Sequence, residues 1–431
     1  MSQSQHVSLV ELARASFKIG CLGFGGPAGQ IALMHRVFVE EKKWISDTRY
    51  MHALNFCMLL PGPEAQQLAT YAGWLLNGVR GGVIAGLLFV LPGALIVFAL
   101  SWIYILYGHL PLAASMFLGV KAAVVAFIFD ALLRIGRKAM KARSDAIIAV
   151  AAFAALYIFG LPFPLTILVA AIFGAITLTR SIGAPNDSAQ LPDRPVRGTI
   201  KTAFLWGAAW LAPVFIVAVW LGPDHVLTQI AVLFSKLAVV TFGGAYAVLA
   251  YLQQQAVEIH GWLAPEQMID GLGLAETTPG PLILVNQFVG FLAGWQGADG
   301  GFLLAFAGAA LASWCTFAPS FVWIFAGAPY AERLRQSQIA AGALRAVTAA
   351  VLGVIASLAL WFGQHVLFRE NAMIQTLWGK EIALPILETF EWSALFIALV
   401  AGVALVRYKA NAALVVGSCA LLGLLAGFLR F

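Results

Sequence analysis

The amino-acid sequence predicts an all-α polytopic membrane protein made of two homologous halves in inverted orientation, with discontinuous helices and about 13 membrane segments. Of the 431 residues, 61% are hydrophobic and 11% are charged, whereas a soluble domain carries about 25% charged residues. Many apolar runs approach the roughly 20 residues that a helix needs to cross a bilayer, and the chain contains an internal repeat. The runs lack the alternation of a membrane β-barrel, so we expect a helix bundle.

Apolar windows divide the chain into candidate spans. Six precede a polar, turn-rich stretch, at 9–35, 52–77, 81–107, 112–134, 145–160 and 163–179. One follows at 203–221, and six more lie at 228–250, 269–294, 301–327, 341–363, 392–407 and 411–429. The stretch between the two sets is rich in Pro, Asn and Asp and cannot span a membrane. We therefore expect an N-terminal half (1–179), a polar cytoplasmic linker (180–202), an extra inverting span (203–226) and a C-terminal half (227–431).

The two halves share a repeat. An offset of 218 residues aligns 17–63 with 235–281 without a gap, and 12 of the 47 positions are identical. Composition alone would give roughly three or four identities over this length. The matched residues include Phe24-Gly25-Gly26 with Phe242-Gly243-Gly244, Pro61-Gly62-Pro63 with Pro279-Gly280-Pro281, Lys18 with Lys236, and Trp44 with Trp262. The repeat predicts two copies of one structural unit.

The extra span decides the relative orientation of the copies. It has no counterpart in the first half, so an odd number of crossings separates the copies and inverts the second. Most Lys and Arg residues then face the cytoplasm if the N-terminus is cytoplasmic, which places the C-terminus in the periplasm. The loop 36–51 is the exception, because it falls outside in this count and carries four basic residues, Arg36, Lys42, Lys43 and Arg49. The first two segments of each half are therefore either spanning or re-entrant.

Glycine and proline interrupt the first two segments of each half. The Phe-Gly-Gly and Pro-Gly-Pro motifs relax the backbone or remove a hydrogen-bond donor, so each is expected to split its helix. The half-helix after each break begins with free N–H groups and the positive end of a dipole, which favours an anion. Four such ends are expected to meet at one depth, as in transporters with discontinuous helices. The alternative is that these residues serve only as kinks or packing points.

Polar residues beside the breaks complete the predicted substrate site, because polar groups at membrane depth are costly unless used or paired. Lys18 and Lys236 lie about six residues before the Phe-Gly-Gly motifs, where each would draw an anion inward or simply extend to the interface. The predicted substrate-binding residues are Lys18, Phe24, Gly25, Gly26, Pro27, Pro61, Gly62, Pro63, Gln66, Gln67, Lys236, Phe242, Gly243, Gly244, Thr277, Thr278, Pro279, Gly280 and Pro281.

Three acidic residues are candidates for proton coupling: Glu64, Glu276 and Asp130. Glu64 follows the first Pro-Gly-Pro, where a carboxylate and an anion at one helix end would repel each other and so alternate. It is equally explained as a charge that stabilises the helix end. Asp130 has Arg134 four residues later, and an alternative to proton coupling is that the two neutralise each other as a helix-surface pair.

The motifs resemble those of the chromate ion transporter family, in its long two-domain branch. The resemblance runs from about residue 10 to residue 428 and rests on FGGPAGQIALMHR (24–36), PGPEAQQLATYAGW (61–74), FGGAYAVLAYLQQQAVE (242–258) and GLGLAETTPGP (271–281). It implies chromate efflux that confers resistance, with sulfate as a close analogue, and coupling to protons. The second copy departs from the first at Ala245, where the first has Pro27, and at Leu282, where it has Glu64.

We therefore expect a secondary transporter of an oxyanion, chromate or sulfate, in the bacterial inner membrane, with chromate efflux as the leading function. Uptake of sulfate by a symporter is an alternative. A membrane-bound oxyanion reductase is disfavoured, because the sequence has no haem, flavin or iron–sulfur motif and its cysteines are scattered. The expected partners are protons and the lipid bilayer, with no nucleic acid, cofactor or metal, in a monomer or homodimer.

Overall fold

The computed structural model describes residues 7–178, 196–242, 244–298, 300–327, 337–375 and 381–428. In these ranges the chain is mostly α-helical, with one two-stranded antiparallel hairpin. Gly243 and most of the predicted linker lie outside the described residues. Five described helices are long and apolar enough to cross a membrane, which agrees with the predicted all-α membrane fold. The count of 13 segments stays a prediction.

The helices of the first half are α1 (Leu9–Leu22), α2 (Gly26–His35), α3 (Asp47–Cys57), α4 (Glu64–Tyr107), α5 (Pro111–Ala139), α6 (Arg143–Tyr157) and α7 (Phe163–Thr177). Then come α8 (Val196–Leu221), α9 (Val226–Val240), α10 (Ala245–Gln253), α11 (Pro265–Thr277), α12 (Val285–Gln296) and α13 (Phe302–Gly327). The chain ends with α14 (Gln338–Leu367), β1 (Asn371–Gln375), β2 (Glu381–Pro385), α15 (Trp392–Val406) and α16 (Ala412–Phe428). Helix α8 begins inside the range expected for the linker, and the β-hairpin has no counterpart among the sequence predictions.

The described residues form two compact units, and each takes segments from both halves of the chain. Unit 1 comprises 1–101, 185–244 and 278–336, and in it α13 packs against α8, α9 and α12. Unit 2 comprises 102–184, 245–277 and 337–431, and in it α14 packs against α5, α6 and α7 while α15 and α16 pack against α5. Helix α4 contributes to both units.

Helix α4 is bent back on itself near its beginning. Asn77 and Gly78 have non-helical backbone angles, and Gly78 has a φ of 63°, which an L side chain rarely adopts. The two arms, 64–76 and 79–107, pack so closely that a Cβ on Gly73 or Gly81 would collide with the carbonyl group of the other. Gly290 and Gly308 make the same contact between α12 and α13, so small residues allow both hairpins to close.

The repeat is visible in the loops that join α2 to α3 and α10 to α11. Each loop starts with a π-helical turn, Arg36–Glu41 in one half and Gln254–Ile259 in the other, at the offset of 218 found in the sequence. In each loop the chain then folds back through an equivalent hydrogen bond. The backbone N–H of Trp44 donates to Phe38 O in the first loop, and that of Trp262 donates to Ala256 O in the second. The two loops are therefore built alike.

Large apolar side chains are exposed along α8. Trp220 is 82% exposed and Phe204 is 78% exposed, on a helix with the hydropathy of a membrane span. A face of this kind is stable in hydrocarbon and not in water. The exposed surface of α8 thus fits a multi-pass membrane protein.

Candidate functional site

Helix breaks occur at the Phe-Gly-Gly and Pro-Gly-Pro motifs of both halves. Helix α1 ends at Leu22, and α2 begins at Gly26. The first Pro-Gly-Pro precedes α4, and the second follows α11. The glycines at the breaks have left-handed φ angles of 87° at Gly25, 113° at Gly62 and 101° at Gly280. The predicted interruptions are confirmed wherever the residues are described.

The breaks of the two halves bind each other within unit 1. The N–H of Gly62 donates to Thr241 O at 2.9 Å, and the N–H of Gly280 donates to Gly23 O at 3.1 Å. Donors and acceptors correspond at the offset of 218, so the two bonds are equivalent in the repeat. Each Pro-Gly-Pro is thereby joined to the residue just before the Phe-Gly-Gly of the other half. We call these contacts the Gly62 junction and the Gly280 junction.

Buried glutamines reinforce the junctions. The fully buried Gln30 donates through Nε2 to Gly23 O at 3.1 Å and to Gly280 O, and so bridges both sides of the Gly280 junction. Gln67 Nε2 donates to Pro61 O at 2.6 Å beside Gly62. The Oε1 atoms of both glutamines have no hydrogen-bond partner among the described residues. Each junction therefore holds an amide with unused hydrogen-bonding capacity, which is costly unless a ligand or water binds there.

The spanning helices reach the junctions at matching places. Gly93 of α4 lies directly against the Pro-Gly-Pro around Gly280. Ser320 of α13 lies at the other junction, where its Oγ would be 3.6 Å from a Cβ added to Gly62. Ser320 Oγ is buried and has no hydrogen-bond partner among the described residues. Gly93 and Ser320 each follow a proline inside the helix, Pro92 and Pro319, so each junction is met by a long helix at the residue after a proline.

The remaining predicted substrate residues of unit 1 differ in their surroundings. Gln66 is buried and donates weakly to Thr70 Oγ1 at 3.4 Å, and Thr278 is buried beside the Gly280 junction. Lys18 and Lys236 are both exposed on their helices, and neither forms an ion pair within the part of the chain that the structure describes. The junctions thus gather the motif residues and the glutamines, whereas the two lysines stay at the surface of the helices.

The three predicted coupling residues are separated. Glu64 occupies the first turn of α4 in unit 1, as expected. Glu276 is buried at the end of α11 in unit 2 and accepts a hydrogen bond from Tyr246 Oη at 2.5 Å. Asp130 on α5 forms an ion pair of 2.9 Å with Arg134, which is the self-neutralising arrangement considered from the sequence. Thr277 bonds to Leu274 O within α11.

Four polar residues near these sites were not predicted from the sequence: the buried Gln30, Ser320 and Asp270, and the half-buried Tyr246. Their signal was present, because each polar side chain interrupts an apolar run and is costly at membrane depth. Only the fold reveals which of the many such residues meet. Gln30, for example, bonds to Gly280, which is 250 residues away in sequence.

The chain matches the family model described as chromate transporter over residues 10–175 and 228–424. It is 31% identical to a probable chromate transport protein of Synechococcus elongatus over 83% of this chain and 85% of the relative. It is 36% identical to a chromate transport protein of Pseudomonas aeruginosa over 67% of each chain, and 30% identical to one of Cupriavidus metallidurans over 81% of each. No solved structure matches it. With its duplicated helix breaks and two matched segments, the chain belongs to the chromate transporter family.

Proposed function

We propose that this protein is a secondary active transporter that exports chromate across the bacterial inner membrane, with transport coupled to protons. Membership of the chromate transporter family and the names of three relatives support chromate as the substrate. The observation that carries the proposal is the pair of equivalent junctions. They hold four interrupted helix ends and several buried amides within one compact unit.

The geometry suggests how an oxyanion would be held. Helices α2 and α4 begin next to the breaks, and the first N–H groups of a helix have no partner inside it. These groups and the helix dipole stabilise negative charge. The amides of Gln30 and Gln67 keep the junctions in place and present further polar atoms. The left-handed glycines let the backbone turn without a side chain in the way.

Coupling to protons requires a group that gains and loses a proton during the cycle. Glu64 lies at the helix end of the first Pro-Gly-Pro, where its ionised form and a bound dianion would repel each other. Glu276 is a buried carboxylate with a tyrosine hydroxyl as its partner. Both are proposed as coupling residues, and Asp130 is a weaker candidate because it is paired with Arg134.

We also propose that the hairpins α2–α3 and α10–α11 are re-entrant and enter the membrane from opposite sides. In unit 1, Lys42 in the first hairpin loop acts electrostatically on Glu11 at the start of α1, and Asn77 at the bend of α4 donates to Val7 O at 2.8 Å. The first loop therefore lies beside the beginning of the spanning arm of α4. In unit 2, Tyr104 near the end of α4 donates to Asp270 of α11, which holds the second hairpin against the last turns of α4.

The charges of the loops support this arrangement. The stretch 36–51 carries four Lys and Arg residues, whereas the equivalent stretch of the second half, 254–269, carries none. With re-entrant hairpins, the first loop moves to the cytoplasmic side together with most other Lys and Arg residues, as the positive-inside rule requires. The loop 36–51 is then no longer an exception to this rule. Five crossings separate the two copies, the spanning arm of α4 and α5 to α8, so the second copy remains inverted.

Transport into inside-out vesicles tests substrate, direction and coupling together. We expect labelled chromate to enter vesicles that contain the full-length protein and to enter faster when the lumen is acidic, because protons leaving the lumen would drive exchange. Vesicles without the protein give the blank, and labelled sulfate is measured in parallel. Chromate entry that is indifferent to the pH gradient would disprove coupling. Sulfate transport without chromate transport would favour the sulfate alternative.

A further inference from the structure

Helix α11 carries a second buried carboxylate, Asp270, within unit 2. Asp270 is 4% exposed, and Tyr104 Oη donates to its Oδ2 at 2.9 Å. Lys121 Nζ of α5 lies 3.6 Å from its Oδ1, which is longer than a hydrogen bond. Oδ1 has no hydrogen-bond partner in the described part of the chain. One oxygen of a buried acid is thus fixed, and the other is left with only a loosely placed cation.

This arrangement gives Asp270 two protonation states, ionised and protonated, of similar free energy. A buried carboxylate must be either paired with a cation or protonated, because an isolated charge in a low-dielectric interior is expensive. The ammonium group of Lys121 is close enough to neutralise Asp270 but is not bonded to it, and the lysine side chain keeps 20% exposure to solvent. When Oδ1 takes up a proton, Lys121 can remain solvated and charged. A group with two such states is suited to binding and releasing protons.

Among the described residues, no other charge close to Asp270 fixes its protonation state. Glu266, one turn earlier on α11, is exposed and acts on Asp270 only at a distance. Helix α16 packs against α11 and has no ionisable side chain other than Cys419. On α14, Arg345 is held by Asp145 in a two-point salt bridge, and the His365 ring bonds to Trp361 O. The ring of Tyr104 is held by an edge contact with Phe117, so its hydroxyl group is well positioned.

Asp270 and Glu276 have similar surroundings. Both are buried carboxylates of α11 that accept a hydrogen bond from a tyrosine, and both face a basic residue of α5, Lys121 or Arg134. Six residues separate them, about 9 Å along the helix axis. Asp270 lies beside the last turns of α4, where Tyr104 is. Glu276 lies at the C-terminal end of α11. The two acids therefore mark successive points along one helix.

We propose that Asp270 binds the proton that accompanies transport, with Lys121 as its charge partner and Tyr104 as a positioning residue. This deepens the proposed function and rests on it. Proton uptake converts the ionised carboxylate to the acid and changes the net charge of the pair from zero to plus one, and release reverses the change. Asp270 is then the first proton-binding residue along α11, and Glu276 is the second.

The test measures proton movement per chromate moved. The full-length protein in inside-out vesicles is given chromate while an internal dye reports the pH of the lumen, for wild type, Asp270→Asn and Asp270→Glu. We expect Asp270→Asn to lose the proton movement and Asp270→Glu to restore it. Tyr104→Phe should shift the pH profile of chromate flux. Asp145→Asn is the matched control, because Asp145 is also a buried acid paired with a cation, and it should keep the wild-type ratio.

The outcomes separate this proposal from the broader one. If wild type moves chromate without protons, the coupling part of the proposed function fails. If wild type is coupled and a folded Asp270→Asn protein keeps the same proton-to-chromate ratio, Asp270 is not the proton site and the proposed function stands. If Asp270→Asn loses all flux and a folded Asp270→Glu protein does not recover it, the proposal also fails. Size-exclusion profiles and thermal unfolding establish folding for each variant.

Discussion

At the scale of single residues, the loop between α2 and α3 contains a histidine held by two acids. His35 lies at the end of α2, outside the helices long enough to cross a membrane. Its Nε2 is 2.7 Å from Asp47 Oδ1, and its Nδ1 is 3.1 Å from Glu40 Oε1. The hydrogen bond to Asp47 raises the pKa of His35 above its ordinary value, burial opposes this, and Glu40 adds to the rise. The second half has Gln253 in this place, bonded to Glu258.

We predict that this loop loosens as the pH rises, and that His35→Gln removes the effect. Because the pKa of His35 is higher in the folded protein, its protonated form stabilises the fold. This stabilisation is complete below the ordinary pKa of histidine and is lost as the pH rises through the pKa in the folded protein. Because both acids are largely exposed, the contribution is small, about 0.5 kcal/mol. Amide hydrogen exchange in 36–47 measures it, with wild type and variant compared at each pH. The paired strands Asn371–Gln375 and Glu381–Pro385 of the same molecules, which contain no histidine, are the internal control and should not respond.

Single residues also mark the limit of sequence reasoning. The four motifs were found because the chemistry of glycine and proline is local, and the structure interrupts the helices at them. Nothing local distinguishes Gln30, which bridges the Gly280 junction, from other glutamines in the chain. The same holds for Asp270, because its partners Lys121 and Tyr104 lie about 150 and 166 residues away. The roles of Lys18 and Lys236 in substrate binding stay a prediction.

At the scale of elements, the breaks depend on backbone shapes that only glycine adopts easily. Gly62 and Gly280 have φ angles of 113° and 101°, and each donates the hydrogen bond that joins the two halves. We predict that alanine at either position destabilises the protein by about 1 to 3 kcal/mol and lowers chromate flux. Alanine costs little where the backbone is helical and space is open, as at Gly417 of α16. Gly417→Ala is therefore the control.

Thermal unfolding in detergent and chromate flux in vesicles check this prediction. Gly62→Ala and Gly280→Ala should behave alike, because the two junctions are equivalent in the repeat. Unchanged stability and flux in both variants would mean that the left-handed backbone at the breaks is not required. A defect in one variant alone would show that the halves have diverged in function, as Ala245 and Leu282 already suggest.

The elements were only partly foreseen. Hydrophobicity located most helices, and its division between 77 and 81 falls at the bend of α4, where Gly73 packs against Gly81. It did not place the start of α8, which begins at Val196 inside the expected linker, or the paired strands 371–375 and 381–385. The two compact units were not foreseen, since each combines segments far apart in sequence. Long-range packing of this kind leaves no local signal.

At the scale of the whole molecule, the decisive question is the side of the membrane on which each hairpin loop lies. If the first two segments of each half span the bilayer, the loop at Lys42 shares a side with His109 at the end of α4, and the loop at Ile259 shares a side with Tyr408 between α15 and α16. If the hairpins are re-entrant, the loop at Lys42 instead shares a side with Tyr408, and the loop at Ile259 shares a side with His109. The basic charge of the stretch 36–51 favours the second arrangement.

Single cysteines labelled from one side of the membrane distinguish the two arrangements. The positions Lys42, Ile259, His109 and Tyr408 are all exposed, and the four native cysteines are replaced first, since all are free thiols. We predict that a membrane-impermeant maleimide labels Lys42→Cys from the same side as Tyr408→Cys, and Ile259→Cys from the same side as His109→Cys. Positive charge then lies on one side in both halves, as the positive-inside rule requires. If Lys42→Cys is labelled together with His109→Cys, the first hairpin crosses the membrane and the exceptional charge of its loop needs another cause.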